Sequence, residues 1–251
     1  MAGTIIAANW KMHKTIGQAV EFARGLKKAL CPNPAAASVV IAPPFTSMAA
    51  LAVEFKGSPV LLAGQNIYPG AAGPFTGEIS GEMLADAGCR YCLVGHSERR
   101  RLFGENNALI NAKIKSALSW GLMPIFCLGE TLAQREAGKT PAILTKQLKE
   151  GLNKIPPGAI QKIIVAYEPV WAIGTGKTAT PGQVQEAHLL IRNLLREKYG
   201  GKKAAGISII YGGSVTAANC GSLMAQQEVN GLLVGSASLD LASFIAIINN
   251  H

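Results

Sequence analysis

The chain is sparing in the features that mark extracellular, membrane-spanning and nucleic-acid-binding proteins. Its five cysteines, Cys31, Cys89, Cys92, Cys127 and Cys220, are odd in number and scattered, which argues against a disulfide framework and fits a reducing compartment. Cys89 and Cys92 form a Cys-x-x-Cys spacing, but no second pair accompanies them and His96 lies beyond a strand pattern. No metal or redox site is expected there, and Cys92 and Cys127 read as small strand residues. Although 49% of the residues are hydrophobic, no apolar run reaches the roughly 20 residues that a membrane span needs. The amino terminus enters a strand pattern at Thr4 without a basic leader or an apolar core segment, so no export signal is read and a cytoplasmic location is the expectation. Aromatic residues make up only 6%, and 15 acidic residues face 24 basic ones for a net charge of +9. The basic residues, Lys27-Lys28, Arg99-Arg100-Arg101 and Lys202-Lys203 among them, are dispersed along the chain. Nucleic acid would call for a clustered stripe interleaved with aromatics, so a small anionic metabolite is the expected partner.

What the chain does have is a recurrent short apolar run: Thr4 to Asn9, Val39 to Ala42, Val60 to Ala63, Tyr91 to Val94, Met123 to Leu128, Ile163 to Tyr167, Ile207 to Tyr211 and Leu232 to Val234. Most lack polar alternation, as parallel strands covered on both faces do. Segments of helical period separate them, for example Ala19, Ala23, Leu26 and Leu30, then Ile110, Ile114 and Ala117, then Val184, Ala187, Ile191 and Leu194. Eight such repeats in 251 residues, with no linker or low-complexity tract, predict one α/β domain over residues 1–251, a closed (β/α)8 barrel, with a doubly wound sheet as the alternative.

In a barrel the chemistry sits at the carboxyl ends of the strands. Residues two apart on a strand share a face, which groups Ala7 with Asn9 and Lys11, Cys92 with Val94 and His96, and Ile164 with Ala166 and Glu168. If those faces line the interior, Asn9, Lys11, His96 and Glu168 meet in one cavity. Glu168 has the position of a base: a rigid strand ends on it, Pro169 stops the strand, and Gly174 and Gly176 hinge the loop that follows. Ser97 is placed to cap a helix starting just after His96. Gly174, Gly212-Gly213-Ser214 and Gly235-Ser236 expose backbone N–H groups at three predicted strand ends, an arrangement suited to phosphate. Each residue taken singly has an ordinary structural explanation; their convergence points to catalysis. Competing readings make Lys11 a Schiff-base nucleophile, pair Glu130 with Glu168 as a glycosidase, against which only three Trp speak, or treat the chain as a catalytically silent barrel that binds a partner.

Seven segments stand in the order found in one family: Asn9-Trp10-Lys11-Met12; Gln65-Asn66 through Phe75-Thr76-Gly77-Glu78-Ile79-Ser80; Gly95-His96-Ser97-Glu98-Arg99-Arg100; Cys127-Leu128-Gly129-Glu130; Ala166 to Gly176; Tyr211-Gly212-Gly213-Ser214-Val215; and Leu233-Val234-Gly235. Along practically its full length the chain resembles the triosephosphate isomerases. The resemblance implies a TIM barrel that interconverts dihydroxyacetone phosphate and D-glyceraldehyde 3-phosphate through an enediolate, with no metal and no cofactor. It makes Glu168 the base, His96 the electrophile and Lys11 the positive charge, with Asn9 assisting. Gly174, Ser214, Gly235 and Ser236 would hold the phosphate through backbone N–H groups, and Ser97, Glu98 and Cys127 would support the site. Pro169-Val170-Trp171 and Lys177-Thr178-Ala179 match the hinges of a lid. A homodimer is implied through the Gln65–Ser80 loop, where Ile67, Tyr68 and Phe75 have no obvious core of their own and Thr76 would reach the partner's site. Two positions depart from the family pattern. Ser236 stands where a second glycine is common, and would be strained if positive φ were needed; Pro74 stands where the interface loop more often keeps an amide proton.

Overall fold

A computed structural model describes residues 3–31, 37–174 and 176–250. Eight parallel strands close on themselves in chain order: β1 (Ile5–Asn9), β2 (Ser38–Ala42), β3 (Leu61–Gly64), β4 (Cys89–Val94), β5 (Met123–Leu128), β6 (Ile164–Tyr167), β7 (Ile209–Tyr211) and β8 (Gly231–Val234). Closure is made by β8 against β1, with Ile5 opposite Gly231 and Ala8 opposite Val234. Helices lie between successive strands. The barrel is therefore the expected one, and the doubly wound alternative, which leaves two sheet edges, is excluded.

Two apolar layers hold it together. Inside the barrel Ile5, Ala7, Val40, Leu93, Ile125, Ile164, Ile210 and Leu233 pack on one another. Outside it the opposite strand faces meet the helices. The helix Ile16–Leu30 shows how the sequence builds the outer layer: Thr15 and Gln18 close a capping box, Lys27 and Lys28 occupy its last turn, and Phe22, Leu26 and Leu30 lie on the buried stripe. Burial of each of those three large side chains contributes about 1.5–3 kcal/mol.

The strands differ from expectation where side chains take over their backbone groups. Ile207 was expected to begin β7, yet its carbonyl accepts from the buried guanidinium of Arg192 at 2.7 Å, and the ladder starts only at Ile209. A larger correction concerns β4. Tyr91 and Leu93 face the barrel interior, whereas Cys92 and Val94 belong to the helix-facing layer, so the grouping of Cys92 and Val94 with His96 does not hold. The other two groupings do: Ala7, Ile164 and Ala166 are interior. Among the cysteines, Cys89 and Cys92 are buried free thiols, and burial raises the Cys89 pKa to about 12, which suits core residues. Among the described residues no helix is long and apolar enough to cross a membrane.

The Gln65–Ser80 connection also differs in part. Ile67 is fully buried in the main core and not offered for an interface. The carbonyl of Ile79 accepts from the Tyr68 N–H at 2.8 Å, closing the base of the loop. Tyr68 stacks on Phe75 at 4.2 Å between centroids, and Phe75 remains exposed.

Candidate active site

Glu168 extends β6 by one residue, its N–H donating to the Leu128 carbonyl at 2.7 Å. Its backbone passes so close to Gly129 that a Cβ there would lie 1.8 Å from the Glu168 carbonyl oxygen. The carboxylate is 2% exposed. One oxygen accepts from the Ser97 N–H at 3.0 Å, and the other lies 3.4 Å from His96 Nε2. A buried carboxylate with one oxygen held by a backbone donor and the other facing an imidazole is fixed in place, which a base requires.

His96 reaches this carboxylate from the wrong side of the strand alternation. The reason is Gly95, whose φ of 74° reverses the chain immediately after β4. Only glycine enters that region without strain, and a Cβ at 95 would come within 2.9 Å of Ile110. The expected helix cap is displaced by one residue: His96, not Ser97, is the N-cap of the helix Ser97–Leu102, its Nδ1 accepting from the Glu98 N–H at 3.3 Å. An Nδ1 that accepts carries no proton, so in this arrangement the ring N–H is Nε2–H, aimed at Glu168 and the cavity.

Lys11 sits two residues beyond β1 at a φ of 51°, a conformation a side-chain-bearing residue adopts only when its surroundings hold it. Asn9 supplies part of that hold, its Oδ1 accepting from the Lys11 N–H at 3.0 Å. Gln65 supplies more, its Nε2 donating to the carbonyls of Lys11 and Ala42 at 2.8 and 2.9 Å. The ammonium is paired with Glu98 at 2.7 Å. Burial pushes the Glu98 carboxyl up, but its hydrogen bond to Lys11 and the Lys11 charge outweigh burial and leave it below its ordinary range.

Asn9, Lys11, His96, Glu168, Gly213 and Gly235 line one depression at the strand ends. Next to it a cavity of about 670 Å³ shares Asn9, Lys11, Gly213 and Gly235 and adds Gly174, Gly176, Ser214 and Ser236. The predicted catalytic and anion-binding residues thus meet at one mouth. Among the described residues none accepts a hydrogen bond from the N–H groups of Ser214, Gly235 or Ser236, and several free N–H groups around one concavity favour an anion. Ser236 is not in the positive-φ region; it opens a short 3-10 turn, Ser236–Ser238, so the condition under which a serine there would be strained is not met. Gly174 and Gly176 have φ of 67° and 77°. Thr175, between them, lies outside the described residues.

The supporting residues are placed differently from one another. Ser97 acts through its backbone N–H. Cys127 faces the interior of β5 opposite Ala166; burial, and then the nearby Glu168 carboxylate, hold its thiol well above the ordinary pKa, so it is a packing residue and no nucleophile. Glu130 is fully buried and turned away from the cavity, accepting from Tyr167 Oη at 3.1 Å and Trp171 Nε1 at 3.0 Å. That removes it from a glycosidase pair and makes it the anchor of Trp171 and Tyr167. Sequence reasoning missed Arg100, which donates to the Gly95 carbonyl at 2.8 Å, the Cys127 carbonyl at 3.0 Å and Asn107 Oδ1 at 2.6 Å, tying the turn before His96 to β5. It also missed Glu105, buried between Arg99 and Lys113. Three consecutive arginines do not announce which one turns inward.

A family profile described as triosephosphate isomerase matches residues 4–251. Proteins named triosephosphate isomerase that are similar to this chain include those of Moorella thermoacetica, 50% identical over 251 residues and 99% of each chain, and Chloroflexus aurantiacus, 49% identical over 245 residues and 98% of each chain. That of Syntrophotalea carbinolica is 48% identical over 248 residues, 99% of this chain and 98% of its relative.

Proposed function

Because this chain belongs to the triosephosphate isomerase family, we propose that Glu168, His96, Lys11 and Asn9 divide the chemistry of that reaction among them. The protein interconverts dihydroxyacetone phosphate and D-glyceraldehyde 3-phosphate. In this reading Glu168 removes a proton from the carbon beside the carbonyl, and the electron pair moves through the new carbon–carbon double bond to the carbonyl oxygen. His96 Nε2–H meets that oxygen as its charge develops, the ammonium of Lys11 stabilises the same charge and the phosphate, and Asn9 holds Lys11 in place. His96 carries the proton of the neighbouring hydroxyl to that oxygen, Glu168 returns its own proton to the former carbonyl carbon, and the hydroxyl oxygen becomes the new carbonyl, so protons and electrons balance. The observation that carries this reading is the 3.4 Å approach of Glu168 to His96 at one cavity mouth shared with Lys11.

The rival Schiff-base mechanism finds less support, because the Lys11 nitrogen is paired with a carboxylate where a nucleophilic amine would have to be neutral. The phosphate is held by the N–H groups of Gly174, Ser214, Gly235 and Ser236, and the loop from Pro169 to Ala179 closes over it. Closure protects the enediolate, which in water would eliminate phosphate. A coupled assay with glyceraldehyde 3-phosphate, with 2-phosphoglycolate as competitor, tests the assignment. Glu168→Ala should abolish nearly all turnover while leaving 2-phosphoglycolate binding; turnover close to the parent's would remove Glu168 from the base role.

The same reading calls for a cytoplasmic homodimer formed through Gln65–Ser80. Supporting it, Met12, Phe75, Met83, Leu102 and Phe103 are large apolar side chains left exposed on the connections after β1, β3 and β4. Sedimentation at micromolar concentration should give twice the 26.2 kDa chain mass; a monomer would withdraw the interface and with it the role of Thr76.

A further inference from the structure

We propose that Lys14 is a positioning residue: its side chain ties the Gly235–Leu239 turn, and so the phosphate-facing N–H groups of Gly235 and Ser236, to the loop that carries Lys11. The proposal rests on the reading of that turn as the phosphate cradle.

Lys14 lies three residues after Lys11, and both have positive φ, 51° and 72°. Two side-chain-bearing residues in this region within one short connection mean a loop held in shape by tertiary contacts. The contacts of Lys14 identify the holder. Its ammonium donates to the Leu239 carbonyl at 2.7 Å and stands over the rings of Phe22 at 4.7 Å and Trp10 at 5.4 Å. A cation set against two aromatic rings and a carbonyl has little freedom. Partial burial lowers its pKa, against the attraction of Asp240 and Glu21.

The far end of this tie is a rigid body. Ser238 N–H donates to the Gly235 carbonyl at 2.9 Å and Leu239 N–H to that of Ser236 at 3.0 Å. The Ser238 hydroxyl donates to the carbonyls of Val234 and Gly235. Holding Leu239 therefore holds Gly235 and Ser236. The near end is anchored as firmly, since Lys11 is fixed by Asn9 and Gln65. Lys14 thus sets the separation between the ammonium that meets the reacting oxygen and the N–H groups that meet the phosphate, two ends of one small substrate. Preorganisation of this kind shows in affinity for the phosphate, because a looser cradle must be ordered on binding.

The discriminating variant is Lys14→Gly, since glycine takes a φ of 72° without strain and so removes the tie while relieving the backbone. Expected are rises of about tenfold in KM for glyceraldehyde 3-phosphate and in Ki for inorganic phosphate, with kcat near the parent's. Lys14→Arg keeps the charge and the donor and should recover most of the affinity. Turnover of glyceraldehyde, which lacks the phosphate, should be indifferent to both changes. KM and Ki within twofold of the parent in Lys14→Gly, a loss confined to kcat, an equal loss with glyceraldehyde, or failure of Lys14→Arg to recover affinity would each overturn the proposal. Failure of the cradle reading itself looks different: the parent enzyme would not be inhibited competitively by inorganic phosphate.

Discussion

Replacing Gly95 by alanine tests the link between backbone conformation and catalysis most directly. At φ 74° a Cβ costs about 1–2 kcal/mol through its clash with the local backbone. The new methyl would also stand 2.9 Å from Ile110 Cδ1 and 3.2 Å from both its γ carbons, and overpacking of this kind costs about 1–3 kcal/mol. Together these predict a loss of about 2–5 kcal/mol, an apparent Tm lower by roughly 4–20 °C for a chain of this length. The catalytic effect has a separate origin. If the chain escapes strain by moving φ towards the extended region, strand alternation turns the next side chain, His96, outward, and the Nε2 to Glu168 distance of 3.4 Å opens. Misplacement by about 1 Å costs on the order of a hundredfold in kcat, whereas KM should move little because the groups proposed to hold the phosphate follow β6, β7 and β8. Thermal melts and steady-state kinetics in the coupled assay measure the two effects. Adding Ile110→Val, which removes Cδ1, should recover part of the stability and little of kcat, because it relieves the contact and leaves the dihedral. A Gly95→Ala enzyme with kcat within twofold of the parent would refute the idea that this glycine aims His96.

Three further outcomes follow from other parts of the molecule. Glu168→Asp withdraws the carboxylate by one carbon–carbon bond, about 1.5 Å, and should lower kcat on the order of a hundredfold with KM nearly unchanged; an equal rise in KM would mean that the carboxylate serves binding. His188 is fully buried, and burial lowers its pKa from 6.5 to about 4. Below about pH 6.5 the unfolded chain takes up a proton that the folded chain refuses, so stability present above that pH is lost as pH falls towards 4, by up to about 3 kcal/mol; urea unfolding of His188→Gln should show a flatter dependence across that window, and an unchanged slope would assign it to other groups. Arg192→Met leaves the buried Glu228 carboxylate, the Ile207 carbonyl and Asn230 Oδ1 without their shared donor, and should cost about 3–5 kcal/mol in denaturant midpoint measurements while the kinetics of the surviving folded enzyme stay close to the parent's.

How much of this was legible beforehand depends on range. The barrel was legible because apolar runs without alternation encode strands covered on both faces, and eight of them with helical stripes between leave few ways to bury every face. Asn9 and Glu168 were legible because each stands at a strand end, where period-two alternation still holds, and the glycines proposed for the phosphate were legible as turn residues in the connections that follow β6, β7 and β8. His96 was placed at the cavity for a reason that fails: extrapolating alternation through Gly95 put it with Cys92 and Val94, and only a positive-φ reversal brings it there. Whether Ser236 needs positive φ was illegible, because sequence does not report dihedrals. The contacts of Arg100, Glu105, Glu130 and Lys14 were illegible, since a charged residue in a loop or a short helix reads as solvated until its partners, 4 to 225 residues away, are known. Local pattern and residue chemistry, which depend on neighbours along the chain, determined the fold class, the reactive groups and the strand ends that carry them. Which side chains turn inward, which donors remain unpaired and how far apart the reacting atoms stand were decided by tertiary contacts, because burial and hydrogen bonding are properties of space and a sequence carries only order.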